Sequence, residues 1–262
     1  EVVNEPLNAP PDGNNGRANY IDALGGTGPS GWEWVLESFR LARQYFPGTQ
    51  LVLNEYNVIR NNDKTDDYLA LIGLLQAEDL IDVIGFQAHA FTTGPASVSA
   101  ITTSINRFEA TGLPVIVTEM DIDGAVFEDP DWIQDDALQL SEYQRVFPLF
   151  WEHPAIVGVT LWGWRPGLWR DTEMAYLQDT DGTERPALQW LRHYVAGEEP
   201  RMNFETYATI EGLLDTERLI VGDSDGDTLH NGLEYLAGTG FDSYNPQPVI
   251  WDFTDDSADM TF

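Results

Sequence analysis

Ile81-Asp82-Val83-Ile84-Gly85-Phe86 runs directly into Gln87-Ala88-His89, and Pro114-Val115-Ile116-Val117 runs directly into Thr118-Glu119-Met120-Asp121. Each is a short β-branched, apolar run that ends in polar residues, the mark of a buried strand reaching a solvent-facing edge. Between them, Val98 to Phe108 carries apolar residues at helical spacing. Strand, helix, strand in that order is a βα unit, and it returns the chain to the sheet in parallel.

The same pattern extends outward from this stretch. Further strands are expected at Val2-Val3, Gln50-Leu51-Val52-Leu53 and Ile156 to Leu161, and further helices over Trp32 to Phe46, Asp66 to Leu75, Asp136 to Trp151 and Pro186 to Val195. Pro47-Gly48 stops the first helix, and Pro186 suits a first turn, where its missing N–H would have no partner anyway. Polar residues collect at the C-terminal end of every strand: Asn4-Glu5, Asn54-Glu55-Tyr56-Asn57, Gln87 with His89, Thr118-Glu119 with Asp121, and Trp162. Barrel enzymes carry their chemistry on that rim. A doubly wound sheet would place a glycine-rich phosphate loop after its first strand, and none of these strands is followed by one. The expected fold is therefore α/β, a (β/α)8 TIM barrel represented by about its last five βα units.

Glu1-Val2-Val3 opens on a strand with no Met or leader before it, so the chain is expected to start inside a domain. Gly197-Glu198-Glu199-Pro200 reads as a linker. Residues 1–196 are thus expected to be the partial barrel, and 197–262 a linker with a small acidic module.

The chain has 262 residues, 42% of them hydrophobic, with 13 Lys and Arg against 44 Asp and Glu, a net charge of −31. That much apolar side chain builds a core and excludes a disordered acidic tail. The absence of cysteine excludes disulfide scaffolds, thiolate metal sites and a cysteine nucleophile. A charge of −31 repels phosphate backbones and anionic lipid, so nucleic-acid and membrane partners are not expected, and neutral ligands, cations or salty surroundings are favoured. Lys64 is the single lysine, a bias that fits a salt-adapted surface and fits an ordinary acidic secreted protein equally well. No apolar run approaches the roughly 18 to 20 residues of a membrane span.

Hydrolysis of a glycosidic bond needs a carboxylic acid to protonate the leaving oxygen and a carboxylate facing the anomeric carbon, roughly 5 to 5.5 Å apart in retaining enzymes. Glu5 and Glu119 lie at the rim ends of two strands and can supply that pair. Asp121 follows Glu119 by two residues, on the same strand face, where it can orient the His89 imidazole from the neighbouring strand.

Taken in order, Val2-Val3-Asn4-Glu5, Leu53-Asn54-Glu55-Tyr56-Asn57, Gly85-Phe86-Gln87-Ala88-His89, Val117-Thr118-Glu119-Met120-Asp121 and Trp162-Gly163 resemble the strands of glycoside hydrolase family 10, the endo-β-1,4-xylanases. The resemblance covers roughly Glu1 to Val195. It implies that Glu5 is the acid/base and Glu119 the nucleophile, that Asn4 meets a sugar 2-hydroxyl, and that Gln87 and His89 flank the nucleophile with Asp121 holding His89. It also implies that Tyr56, Trp162 and Trp169 line sugar subsites, that xylan is the substrate of a secreted enzyme, and that catalysis uses no cofactor. Cellulases and mannanases of the same clan share the two carboxylate strands, and Gln87 with His89 separates the chain from them. A non-catalytic glycan-binding barrel is the rival outside enzymes, and the retained Glu5 and Glu119 argue against it.

Two positions depart from the family pattern. Glu55 stands where the family usually has Asp, which makes a second Asn-Glu dipeptide and a rival proton donor, although the Val-Val-Asn-Glu context favours Glu5. The loop from Trp162 to Arg170 is shorter than the commoner version and lacks its Asp. The family's first three βα units have no counterpart, so this chain by itself is expected to be poorly stable and nearly inactive. In the tail, Asp223, Asp225, Asp227, Leu229, Asn231 and Glu234 fall at positions 1, 3, 5, 7, 9 and 12 of a calcium loop, with Thr228 at position 6 in place of Gly. One such loop does not make a dockerin, so cohesin binding is not expected.

Overall fold

The computed structural model of the chain describes residues 1–14, 19–128 and 130–197. Five parallel strands form one sheet: β1 (Val3–Asn4), β2 (Val52–Glu55), β3 (Val83–Ala88), β4 (Val115–Met120) and β7 (Ile156–Leu161), in that spatial order. Sequential βα units thus lie side by side, as in a segment of barrel wall. Among the described residues the wall is open, with β1 and β7 at its edges. β3, at its centre, is buried along its whole length, as parallel strands covered on both faces are.

Helices α1 (Glu33–Tyr45), α2 (Asp63–Ala77), α4 (Val98–Glu109), α5 (Asp136–Trp151) and α6 (Pro186–Ala196) connect or follow the strands. Their starts are written in the sequence. The Asn62 side chain accepts from Thr65 N while Thr65 Oγ1 accepts from Asn62 N, a capping box that satisfies otherwise unpaired donors at the start of α2. Ser97 and Asp135 cap α4 and α5 in the same way, accepting from Ala100 N and Leu138 N. Trp34, Val35, Leu36 and Phe39 bury the apolar face of α1, and Tyr68, Leu71, Ile72 and Leu75 that of α2. Side chains of this kind contribute about 1.5 to 3 kcal/mol each when fully buried. The Tyr68 hydroxyl, wholly buried, sits 2.8 Å from the Leu53 carbonyl and 2.6 Å from that of Gly85, and pins α2 to the β2–β3 ladder.

Three strands begin and end further along the chain than their β-branched runs suggest. β2 includes Asn54 and Glu55, β3 includes Gln87 and Ala88, and β4 runs through Thr118 and Glu119 to Met120. Ladder bonds use only the backbone, so they continue past the last apolar side chain as long as a neighbouring strand is there to pair. The ends of β2, β3 and β4 are therefore set by the sheet itself, while Glu5, His89 and Asp121 lie just past the last paired residues of their strands.

Other elements carry no strong sequence signal. A short helix α3 (Ala90–Thr93) follows β3, a 3₁₀ turn covers Asp22–Leu24, and β5 (Ala125–Glu128) pairs antiparallel with β6 (Asp131–Gln134) in a hairpin between β4 and α5. Arg185 anchors the base of that hairpin. Its buried guanidinium donates to the carbonyls of Gly124 at 3.0 Å and Tyr176 at 2.8 Å, to that of Met174, and to Asp136 Oδ1 at 2.7 Å. A Cβ on Gly124 would fall 2.4 Å from the Met174 carbonyl oxygen and 2.5 Å from that guanidinium, so a larger residue here would displace backbone.

Contacts divide the chain into Glu1–Leu191 and Arg192–Phe262. The linker after Gly197 and the calcium loop, with Asp223, Asp225, Asp227, Leu229, Asn231 and Glu234, lie outside the described residues.

Candidate active site

The rim ends of the strands meet in one hydrogen-bonded chain of side chains. The register opposes Asn4 to Asn54 and Asn54 to Gly85. A Cβ at Gly85 would sit 3.0 Å from both Asn54 Oδ1 and the Leu53 carbonyl, so glycine leaves the Asn54 side chain its room. Thr118 donates to Asn54 Oδ1 at 2.6 Å, which leaves the Asn54 amide NH2 facing Asn4 Oδ1 at 2.9 Å and Glu119 Oε1 at 3.1 Å. Gln87 Nε2 donates to Glu5 Oε1 at 2.8 Å and lies 3.4 Å from Asn4 Oδ1. Glu5 and Glu119 are thereby linked through Gln87, Asn4 and Asn54.

A slip in register makes this possible. β3 and β4 pair Phe86 with Val117 but Gln87 with Glu119, skipping Thr118. Such a bulge re-aims the side chains after it, a device common beside active sites. It brings Gln87 level with Glu119 and turns Thr118 toward Asn54.

Beyond Glu119 the network continues into His89. Its Nε2 lies 3.3 Å from Glu119 Oε2 and its Nδ1 2.5 Å from Asp121 Oδ2, while Asp121 Oδ1 accepts from Ala90 N at 2.9 Å. With a carboxylate at each ring nitrogen, the imidazole holds two protons. Burial pushes its pKa down, but the hydrogen bonds to Asp121 and Glu119 outweigh that and raise it to about 9. Aromatic rings support the charge: Phe91 stacks on the imidazole with centroids 5.2 Å apart, and Trp169 lies tilted against it at 5.6 Å.

A folded-state pKa above the unfolded value means that His89 contributes stability fully below about pH 6.5, and that this contribution is lost as pH rises through about 9. Denaturant unfolding at pH 6 and at pH 9.5 is expected to show a smaller drop in stability for His89→Gln than for the unsubstituted protein. Equal drops would mean that His89 is not held as an imidazolium.

The structure gathers the residues expected at the rim. Glu5, Asn4, Gln87, His89, Glu119 and Asp121 belong to the single network, and Tyr56 meets Phe91 edge-on at 6.1 Å. Trp162 and Trp169 are 43% and 48% exposed, enough to offer a face to a ligand. Gly163 lets the loop double back, since a Cβ there would come within 2.8 Å of the Trp169 carbonyl and its φ is +82°. Four participants have no role assigned from the sequence: Asn54 and Thr118, which it places at the rim, and Phe91 and Arg170. Arg170 makes a two-oxygen contact with Asp123 at 2.7 and 2.9 Å, lies 3.7 Å from Asp121 and sits over the Phe91 ring. Asn54 has a usable signal, being the residue before Glu55 at a strand's rim end; Arg170 has no such local signal.

Glu55 is not a competitor for an open position in this network. It is wholly buried, and both its oxygens are taken by N–H donors: Leu7 N at 2.7 Å, Asn8 Nδ2 at 2.8 Å and Tyr56 N at 2.8 Å. Burial raises its pKa, and those donors pull it part of the way back.

Residues 1–194 match the model of glycosyl hydrolase family 10. The chain is 34% identical over 178 residues to endo-1,4-beta-xylanase B of Cellvibrio japonicus, which covers 65% of the chain and 27% of that relative. It is 29% identical over 196 residues to endo-1,4-beta-xylanase C of Phanerodontia chrysosporium, covering 74% of the chain and 45% of the relative. The chain therefore spans less than half the length of these two relatives. Among solved structures, a xylanase 10C variant of Cellvibrio japonicus in complex with xylopentaose superposes with a TM-score of 0.60 at 22% identity, over 76% of the chain and 44% of that structure. A family 10 structure from Paenibacillus barcinonensis gives 0.58 at 25% identity, over 74% and 61%.

Proposed function

The chain belongs to glycosyl hydrolase family 10, and from that premise we propose that it carries the catalytic rim of an endo-1,4-β-xylanase that cleaves xylan with retention of configuration. One observation carries the reading: Glu5 and Glu119, from separate strands, are tied into one network through Gln87, Asn4 and Asn54. In the first step Glu119 forms a bond to the anomeric carbon while the glycosidic bond breaks and Glu5 gives its proton to the departing oxygen. In the second, Glu5 takes a proton from water, the water oxygen bonds to the anomeric carbon, and Glu119 leaves as a carboxylate. The two carboxyl groups supply acid, base and nucleophile, so neither step calls for a cofactor.

His89 bonds the Glu119 carboxyl and fixes its position, and Asp121 holds His89. In this reading Asn4, next to Glu5, meets the 2-hydroxyl of the bound sugar, and Tyr56, Trp162 and Trp169 offer ring faces for pyranose stacking. A neutral polysaccharide suits a chain of net charge −31, which disfavours nucleic acid and anionic membranes. No helix of the described residues is long and apolar enough to cross a membrane, and action outside the cell fits a polymer too large to enter. The same reading divides the chain into a catalytic part, 1–196, and an appendage, 197–262, whose loop from Asp223 to Glu234 has the oxygen spacing for one structural Ca²⁺.

Xylan, carboxymethylcellulose and mannan, each incubated with the protein that carries this chain, test the proposal. Reducing ends are expected from xylan above all, with the β-anomer seen first by proton NMR. A first-formed α-anomer, or preference for cellulose or mannan, overturns it.

A further inference from the structure

We propose that Glu55 is a positioning residue that holds the Glu5 carboxyl where it can protonate the leaving oxygen; this rests on the acid role just proposed for Glu5. Glu5 has a φ of +54°, in the left-handed region that a residue with a Cβ enters only under constraint. Pro6 follows it, and a residue before proline is biased toward extended backbone. The turn that presents the acid therefore opposes its own local preference, and neighbouring structure must hold it.

Two backbone bonds hold its ends, with Glu5 N donating to the Asn54 carbonyl at 2.9 Å and Ala9 N donating to the Glu5 carbonyl at 2.8 Å. The residues between them are docked through Glu55. One of its oxygens accepts from Leu7 N, and the other accepts from the Asn8 side chain and from Tyr56 N. Lys64 Nζ adds a bond to the Leu7 carbonyl at 3.1 Å. From the far side, Gln87 fixes Glu5 Oε1. The wholly buried Glu55 carboxylate is thus an acceptor for three donors that all serve the Glu5 turn or its own strand end, and no face of it is left for a substrate.

Only an acceptor with two oxygens satisfies this arrangement. In Glu55→Gln an NH2 replaces one oxygen and confronts at least one of the three N–H groups, displacing the turn. A misplacement of about 1 Å at a reacting group costs on the order of 10²-fold in rate.

Kinetics with xylan, phenyl β-xylobioside and 2,4-dinitrophenyl β-xylobioside, on the protein that carries this chain, test the inference. Glu55→Gln is expected to lower kcat/KM about 10- to 100-fold on xylan and the phenyl glycoside, and less than about threefold on the dinitrophenyl glycoside, whose departure needs no proton. In a Glu5→Ala background the same change should add nothing, because it acts through Glu5. Asn8→Ala, which removes one donor and leaves the carboxylate, should shift the phenyl glycoside the same way by a smaller factor, and it decides the matter if Glu55→Gln does not fold. A loss equal on all three substrates, no loss, or a loss that adds to that of Glu5→Ala overturns the inference. If the unsubstituted protein leaves xylan intact, the proposed function itself falls and takes this role with it.

Discussion

Glu119→Ala is expected to abolish turnover on every xylan and every aryl xyloside, a fall on the order of 10⁵-fold or more. The side chain does two things at once. It is the group that bonds to the anomeric carbon, so its loss removes the first step whatever the leaving group. It is also the shared acceptor of Asn54 and His89, so its removal leaves an amide and an imidazolium facing a gap. Because no substrate bypasses the first bond, dinitrophenyl and phenyl xylobiosides should suffer alike. Circular dichroism and thermal melting separate this loss from unfolding: the variant should keep its fold, since Glu119 lies at the rim and not within the apolar core. Substantial hydrolysis by a folded Glu119→Ala protein would move the nucleophile elsewhere.

Glu5→Ala is expected to be selective where Glu119→Ala is uniform. On xylan, whose leaving sugar needs a proton, the rate should fall by about 10² to 10⁴, the usual contribution of general acid catalysis. On 2,4-dinitrophenyl β-xylobioside, kcat/KM should stay near its original value, because dinitrophenolate leaves unprotonated. The second step still lacks its base, so the glycosyl-enzyme should accumulate and give a burst of dinitrophenolate. Azide, a nucleophile that needs no deprotonation, should restore turnover and yield β-xylobiosyl azide. Undiminished xylan hydrolysis by Glu5→Ala would take the acid role from Glu5 and reopen the case for Glu55, despite its burial and its three donors.

How legible the molecule is depends on the range of the interaction that decides each feature. β-Branched runs bounded by polar residues are local, and they locate the five parallel strands to within a few residues; 3.6-residue spacing and caps such as Asn62, Ser97 and Asp135 do the same for the helices. Period-two alternation puts Glu119 and Asp121 on one face from sequence alone, and the structure finds both on His89. The hairpin of β5 and β6 is not legible in this way, because its strands are only four residues long, too short for a periodic pattern to stand out even with Asp129-Pro130 between them as a turn signal.

What alternation along one strand cannot specify is which residue of the next strand stands opposite. That is decided by the register slip between Phe86 and Gln87, which brings Gln87 level with Glu119, and by the space at Gly85 that admits the Asn54 side chain. It is decided again by partners far apart in the chain: Asn54 with Glu119, 65 residues on, and Arg170 with Asp123, 47 residues back. Glu55 is the plainest instance. As a residue in an Asn-Glu dipeptide at a strand end it is indistinguishable from an acid catalyst, and only the folded chain shows its carboxylate taken up by Leu7, Asn8 and Tyr56. A carboxyl group's chemistry is set by its solvation and its hydrogen-bond partners, and those are properties of the space around it, which the order of residues along the chain does not record.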